Sequence, residues 1–250
     1  MEKIFKTEKE LSVYPTLRSS IHHESDIYIV DDETLYKILL YGNRLTRESV
    51  VQRLSLYDNP DCVTPTGAIY TPQYEFLGFK MPYLKNYVPS TKLIFSKKVS
   101  YKDKLKFARK IAIAIEKLSK DGIVFWDIHP DNNMICRNGD IKIIDMDSVS
   151  FKEDYDGDEF RFKVAASHGL LSQLSLSYLA KINIMELAKT LPEETLKEMF
   201  SSVFKGGLYD YVDGIFGFPD EIIYPSEFLP YIEEKDLIDL RETLIRKLRK

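Results

Sequence analysis

Around Ile27-Tyr28-Ile29-Val30 a β-rich run meets the acidic turn Asp31-Asp32-Glu33 and resumes as Thr34-Leu35-Tyr36-Lys37-Ile38-Leu39. β-Branched and aromatic residues bounded by turn formers predict the two strands of a hairpin. Residues Leu45 to Tyr57 are polar, with Val50, Val51 and Leu54 at helical spacing, which predicts one helix. Ala68-Ile69-Tyr70 and Glu75 to Met81 flank Thr71-Pro72-Gln73-Tyr74, a second hairpin signal. From about residue 100 the period turns helical. Ser100-Tyr101-Lys102-Asp103 has the form of a capping box, and Leu105, Ala108, Ala112, Ile115 and Leu118 then share one face. Asp121-Gly122 stops that helix. Met134-Ile135-Cys136 and Ile141 to Ile144 surround Asn138-Gly139, a tight hairpin. From about Val164 the pattern is mostly helical, ending in a stripe of Leu237, Leu240, Leu244, Ile245 and Leu248. Its basic end, Arg246 to Lys250, complements the helix dipole. A small sheet with one helix followed by a larger helical half is an α+β, two-lobed architecture, with an N-lobe over 1–84 and a C-lobe over 85–250.

Composition narrows the partners. Lys+Arg 35 against Asp+Glu 39 leaves a net charge of −4, without the basic excess that phosphate neutralisation along a nucleic acid needs. At 44% hydrophobic and 30% charged the chain is built to fold. Its longest unbroken apolar run, Ile111 to Ile115, is far too short to span a bilayer. The N-terminal MEKIFKTEKE lacks the apolar core of a secretory signal, and Cys62 and Cys136 offer no CxxC spacing. The expectation is a reduced, cytoplasmic protein with neither nucleic-acid nor membrane partner.

The chemistry concentrates in Trp126-Asp127-Ile128-His129-Pro130-Asp131-Asn132 and in Ile143-Ile144-Asp145-Met146-Asp147. Two carboxylates and an amide, gathered by a loop and a hairpin, suit phosphoryl transfer. One carboxylate orients an attacking hydroxyl and accepts its proton, while the amide oxygen and the other carboxylate hold Mg²⁺ against nucleotide phosphates. Zinc would want Cys and His at metal spacing, which are missing. Alternation along Thr34 to Leu39 puts Leu35, Lys37 and Leu39 on one face, and a lysine between apolar neighbours is costly unless it meets an anion.

In spacing these segments resemble the protein-kinase-like superfamily. Phe125-Trp126-Asp127 with Asn132 stands for the catalytic loop H-R-D-x-x-x-x-N, and Asp145-Met146-Asp147 for D-F-G. The resemblance implies Asp127 as catalytic base, Asn132 and Asp145 as metal ligands, and ATP with Mg²⁺ bound between the lobes. The Lys37 strand is similar to V-A-I-K, which implies Lys37 on the α/β-phosphates and Leu35 over the adenine. Glu48, the acid of the following helix, is then the candidate partner of Lys37. Gly78-Phe79-Lys80-Met81-Pro82-Tyr83-Leu84 resembles the family's hinge, with Met81 as gatekeeper, the Pro82 carbonyl as acceptor and the Leu84 N–H as donor to adenine.

Several positions depart from the family. The phosphate-covering loop Ser20-Ile21-His22-His23-Glu24-Ser25 has no glycine, so its backbone approaches phosphate less closely. His129 replaces the lysine of protein Ser/Thr kinases, and Asp127-Ile128-His129-Pro130 is similar to the aminoglycoside phosphotransferase run H-G-D-L-H-P-x-N. His129 either stabilises the transferring phosphoryl group or hydrogen-bonds the loop in place. Trp126 lacks the charge of the family arginine that pairs with a phosphorylated segment. No A-P-E follows Asp147, and the acidic run Ser148 to Lys163 reads as a solvated loop or as a docking surface for a cationic substrate. The resemblance implies an ATP- and Mg²⁺-dependent phosphotransferase acting on a hydroxyl-bearing substrate, as a Ser/Thr protein kinase does. The alternatives are a small-molecule kinase of the aminoglycoside or choline type and a nucleotide-binding pseudokinase without turnover.

Overall fold

The computed structural model describes residues 1–18, 24–94, 96–136, 138–181, 192, 194–195, 222 and 224–248. The chain forms two compact units, Met1–Tyr87 with Ile144–Val149, and Val88–Ile143 with Ser150–Lys250. The architecture is α+β. The first unit continues three residues past the expected limit at 84 and recovers a short segment from far along the chain.

Six strands build the sheet of the first unit: β1 (Glu2–Phe5), β2 (Thr16–Arg18), β3 (Ser25–Ile29), β4 (Thr34–Leu39), β5 (Gly67–Tyr70) and β6 (Phe76–Pro82), in the order β1-β5-β6-β4-β3-β2. Both expected hairpins form, β3 with β4 and β5 with β6. Strand β4 lies near the middle, and every residue from Leu35 to Leu39 is buried. Leu39 packs with Val51, Ala68, Tyr70, Phe76 and Phe79, whereas Tyr36 and Ile38 pack with Leu11, Ile69 and Leu77. Both faces are therefore covered. Leu11 comes from a short helix that the sequence pattern did not reveal, α1 (Glu8–Leu11), so the described residues of this unit hold two helices rather than one. Its start is a capping box, with the Glu10 carboxylate accepting from the Thr7 N–H at 2.8 Å. Helix α2 (Tyr41–Leu54) starts and ends earlier than its apolar spacing suggested and buries Val51 and Leu54 completely. At Gly78, opposite Ile38, a Cβ would lie 2.0 Å from the Lys37 carbonyl oxygen, so only glycine lets β6 run this close to β4.

The second unit is organised by α4 (Tyr101–Lys120), which follows the short α3 (Ser90–Ile94). The Ser100 hydroxyl accepts from the Asp103 N–H at 3.2 Å, as the capping box required. Ala108, Ile111, Ala112, Ile115 and Leu118 are buried on the inward face, and Gly122, at φ 82°, ends the helix. Strand β8 (Ile123–Val124) pairs with β11 (Ser150–Phe151), and β9 (Asn133–Cys136) turns into β10 (Ile141–Ile143) through Gly139 at φ 88°. A strand at Tyr87–Pro89, β7, completes the order β10-β9-β7. Helix α5 (Gly157–Ala180) begins seven residues before the expected Val164. The Asp156 carboxylate caps it by accepting from the Glu159 N–H at 2.8 Å, and Asp158 and Glu159 favour its positive end. Half of the acidic run is thus a helix start and not a solvated loop. Helices α6 (Pro225–Phe228) and α7 (Glu234–Leu248) follow, and α7 buries Leu237 and Leu240. Residues 182–191, most of 193–223 and the last two residues of the basic tail lie outside the described residues. No helix among the described residues is long and apolar enough to cross a membrane.

His168, on α5, is fully buried, and among the described residues neither of its ring nitrogens has a hydrogen-bond partner. Its ring lies 5.2 Å from that of Tyr224, and the Lys120 ammonium sits over the same tyrosine at 4.9 Å. Burial pushes the imidazole pKa down to about 4, and the Lys120 charge acts in the same direction. Between that value and the unfolded value of about 6.5 the unfolded chain binds the extra proton, so stability rises with pH. The contribution is complete above pH ~6.5 and is lost as the pH falls towards ~4, amounting to about 3 kcal/mol. Urea unfolding at pH 7 and pH 4.5 should show a smaller acid loss for His168→Phe than for the parent. Equal losses would mean that His168 does not titrate in this window.

Candidate active site

The side chains to which the sequence assigns chemistry fall into two sets, one in each unit. In the first, the β4–β6 register sets Leu35 opposite Met81 and Lys37 opposite Phe79. Directly opposed residues of antiparallel strands project from the same face, so an apolar pair and the lysine lie in line, ~7 Å apart along the strand. Lys37 is 6% exposed, with its Nζ 5.7 Å from the centre of the Phe79 ring. Such a lysine needs anions, and it has two. Its ammonium donates to Asp145 Oδ1 and, at 2.5 Å, to Asp147 Oδ1.

The segment that delivers these carboxylates is a single tight turn. Asp145 has left-handed backbone, φ 64° and ψ 39°, a conformation that aspartate tolerates better than most residues. Met146, 2% exposed, anchors the turn, and Asp147 is 5% exposed. From α2, Arg47 Nη1 donates to the Asp147 carbonyl at 2.6 Å, and Nη2 lies 3.5 Å from Glu24. Burial opposes the charge on Lys37, but Asp147 and Asp145 together outweigh it and hold the lysine above its usual value. Burial also pushes the Asp147 carboxyl up, against the pull of Lys37, and the neighbouring Asp145 charge adds to the push. Lys37 is therefore a firmly charged ammonium.

Glu48 does not take the role expected of it. Its Oε1 accepts from the Tyr70 hydroxyl at 2.9 Å and from Gln52 Nε2 at 3.2 Å, so it braces α2 against β5. One helical position turns a side chain by about 100°, and here that step brings Arg47 and not Glu48 to the turn after Asp145. In the expected hinge, Met81 is half-buried against the core, and Pro82 ends β6 opposite Thr34, exposed. The Tyr83 N–H donates to the Glu33 carbonyl at 2.8 Å, and the Leu84 carbonyl accepts from Tyr87 at 3.1 Å. Among the described residues the Leu84 N–H makes no backbone hydrogen bond. Of the glycine-free loop, residues 20–23 lie outside the described residues.

In the second unit, Asp127 follows the fully buried Phe125, whose carbonyl accepts from the Ser167 hydroxyl of α5 at 2.7 Å. The chain then turns tightly, with Ile128 N–H donating to Trp126 O and His129 N–H to Asp127 O. Asn132 reaches back, its Nδ2 donating to Asp127 Oδ2 at 2.7 Å and to the Asp127 carbonyl at 3.2 Å. The amide nitrogen is thereby committed to orienting the carboxylate, and the amide oxygen remains for a cation. His129 organises the same turn: its Nδ1 accepts from the Asp131 N–H at 3.3 Å, and its carbonyl accepts from Asn132 N–H and from the buried Asn133 Nδ2. Beside the turn, Trp126 Nε1 donates to Ser150 Oγ at 3.1 Å, and Lys163 lies over the rings of Trp126 and Tyr155.

Among the described residues no three His, Cys, Asp or Glu side chains cluster as a metal site. Mg²⁺ does not need such a cage, because one or two protein oxygens plus phosphates and water complete its octahedron. The Asp145 carboxylate, 39% exposed, and the Asn132 amide oxygen have the hard-oxygen character it requires. The sequence left open whether Asp147 is a third metal ligand or faces solvent, whereas the structure buries it against Lys37, and neither the role of Arg47 nor the close approach at Gly78 was legible. The available signal for Asp147 was the D-x-D spacing together with a lysine needing an anion. Comparison with protein-family models matches none of them, and comparison with curated proteins finds no significant match.

Proposed function

We propose that this chain is an ATP- and Mg²⁺-dependent phosphotransferase with a hydroxyl acceptor, working in the cytoplasm in the manner of a Ser/Thr protein kinase. The observation that carries the reading is the meeting of Lys37 with Asp145, 108 residues further along the chain. The sequence points to each on separate grounds, to Lys37 as a lysine between apolar neighbours and to Asp145 by its distance from Asp127. The Asp127–Asn132 hydrogen bond supports the reading independently.

In this reading the Lys37 ammonium binds oxygens of the α/β-phosphates, and Leu35 and Met81 enclose the adenine. The Pro82 carbonyl and the Leu84 N–H meet its edge. Asp127, oriented by Asn132, takes the proton of the acceptor hydroxyl as its oxygen bonds to the γ-phosphorus and the bond to the ADP oxygen breaks. His129 holds the turn that positions Asp127. Asp145 of the first unit and Asn132 of the second are the residues assigned to Mg²⁺, which would supply neutralisation of phosphate charge.

A second reading, transfer to a small molecule of the aminoglycoside or choline type, is favoured by the turn that His129 Nδ1 caps ahead of Pro130-Asp131-Asn132. The test is transfer from γ-labelled ATP with Mg²⁺, offered protein acceptors and small alcohols in parallel. Label on protein supports the first reading, and label on an aminoglycoside or choline supports the second. ATP-induced stabilisation without transfer or hydrolysis indicates a nucleotide-binding pseudokinase. No stabilisation by ATP at all overturns the site.

A further inference from the structure

We propose that the second unit carries a separate binding site for a small phosphate-bearing anion, built around the buried Lys104 at the start of α4. A cavity of ≈ 270 Å³ opens there, lined by four cationic side chains, Lys97, Lys104, Lys181 and Arg241, and by a single carboxylate, Glu234. Lys104 is 3% exposed, although lysine is almost never buried without a counter-charge. None of the four cations makes an ion pair among the described residues. Lys181 shares the cavity lining with Lys104, and its ammonium acts on that of Lys104 as a like charge. An ammonium carries donors and no acceptor, so two of them cannot satisfy each other. Burial and the Lys181 charge accordingly hold the Lys104 pKa below the usual lysine value, with Glu234 opposing.

An anion between the two lysines resolves this conflict. The hydroxyls of the cavity are already committed, Ser100 to Asp103 and Tyr101 to the Ile232 carbonyl at 3.1 Å. What remains to a ligand is therefore cationic donors spread around the space. A carboxylate has two oxygens to share among them, whereas a phosphate offers three or more with a charge of about −1.5 to −2. The start of the twenty-residue α4 adds its positive end to the same space. Leu179 and Leu237 supply an apolar wall suited to the organic part of a phosphate ester. The volume holds one such small molecule.

The proposal does not depend on kinase activity, and its test uses the full chain with the Lys37 site disabled. In the Lys37→Met/Asp147→Leu background, calorimetric titration with pyrophosphate, without Mg²⁺ and at constant ionic strength, should show one binding site. Adding Lys104→Met should weaken it at least tenfold, and Arg241→Gln, at an exposed position, should weaken it severalfold while leaving the fold intact. Absence of binding, equal binding of chloride, or affinity unchanged in both variants would each overturn the site. Absence of ATP-dependent transfer by the parent protein, with pyrophosphate binding present, would instead count against the kinase reading alone.

Discussion

Asp127→Asn should lower the rate of phosphoryl transfer by about 10²–10⁴ under saturating ATP and acceptor, the usual worth of a positioned general base. The substitution is a clean one in this loop. An asparagine oxygen can still accept from Asn132 Nδ2, which in the parent lies 2.7 Å from Asp127 Oδ2, and the side chain is exposed. Shape and folding are kept while the basic oxygen is lost. Nucleotide affinity should stay near that of the parent, because the assigned phosphate and adenine contacts, Lys37, Leu35 and Met81, are untouched. A drop in kcat with ATP affinity retained is the expected signature. Near-full activity in the variant would remove Asp127 from the chemistry, and a matching loss of ATP binding would mean that its role is structural.

Lys37→Met should destabilise the protein by about 3–5 kcal/mol, the cost of stranding a buried charge without its partner. The side chains of Lys37 and Asp147 are 8% and 6% exposed, and methionine leaves Asp147 beside Asp145 with no ammonium between them. Replacing both members, Lys37→Met with Asp147→Leu, removes the stranded carboxylate and should recover most of the loss. That non-additivity is what a coupled pair produces. Denaturant unfolding of the two single variants and the double variant measures it directly. The double variant should regain stability without regaining ATP-induced stabilisation, which separates the lysine's structural pairing from its assigned phosphate contact. Additive losses would show that the two residues are not energetically coupled, and an undiminished response to ATP would place the nucleotide elsewhere.

Where the physics is local, the amino-acid sequence by itself determined the outcome. The Ser100 cap, the apolar face of α4 and the stop at Gly122 involve groups only a few residues apart, and all form as their spacing requires. The turn carrying Asp127, His129 and Asn132 is local in the same way, since its hydrogen bonds join residues at most five positions apart. The demand of Lys37 for an anion was legible too, because a charged lysine between apolar neighbours on an inward face is costly without one. The identity of that anion was not. Glu48 is 11 positions away, whereas Asp147 is 110, yet Asp147 holds the lysine while Glu48 turns to Tyr70. Tertiary structure made that choice through the rotation of α2 and the turn after Asp145. A side chain's partner is set by which groups share the buried space, and distance along the chain does not measure that. The like-charged Lys104 and Lys181 were hidden for the same reason. Each is an ordinary helix-end lysine in the sequence, and only the packing of α5 and α7 around the start of α4 puts them in one cavity.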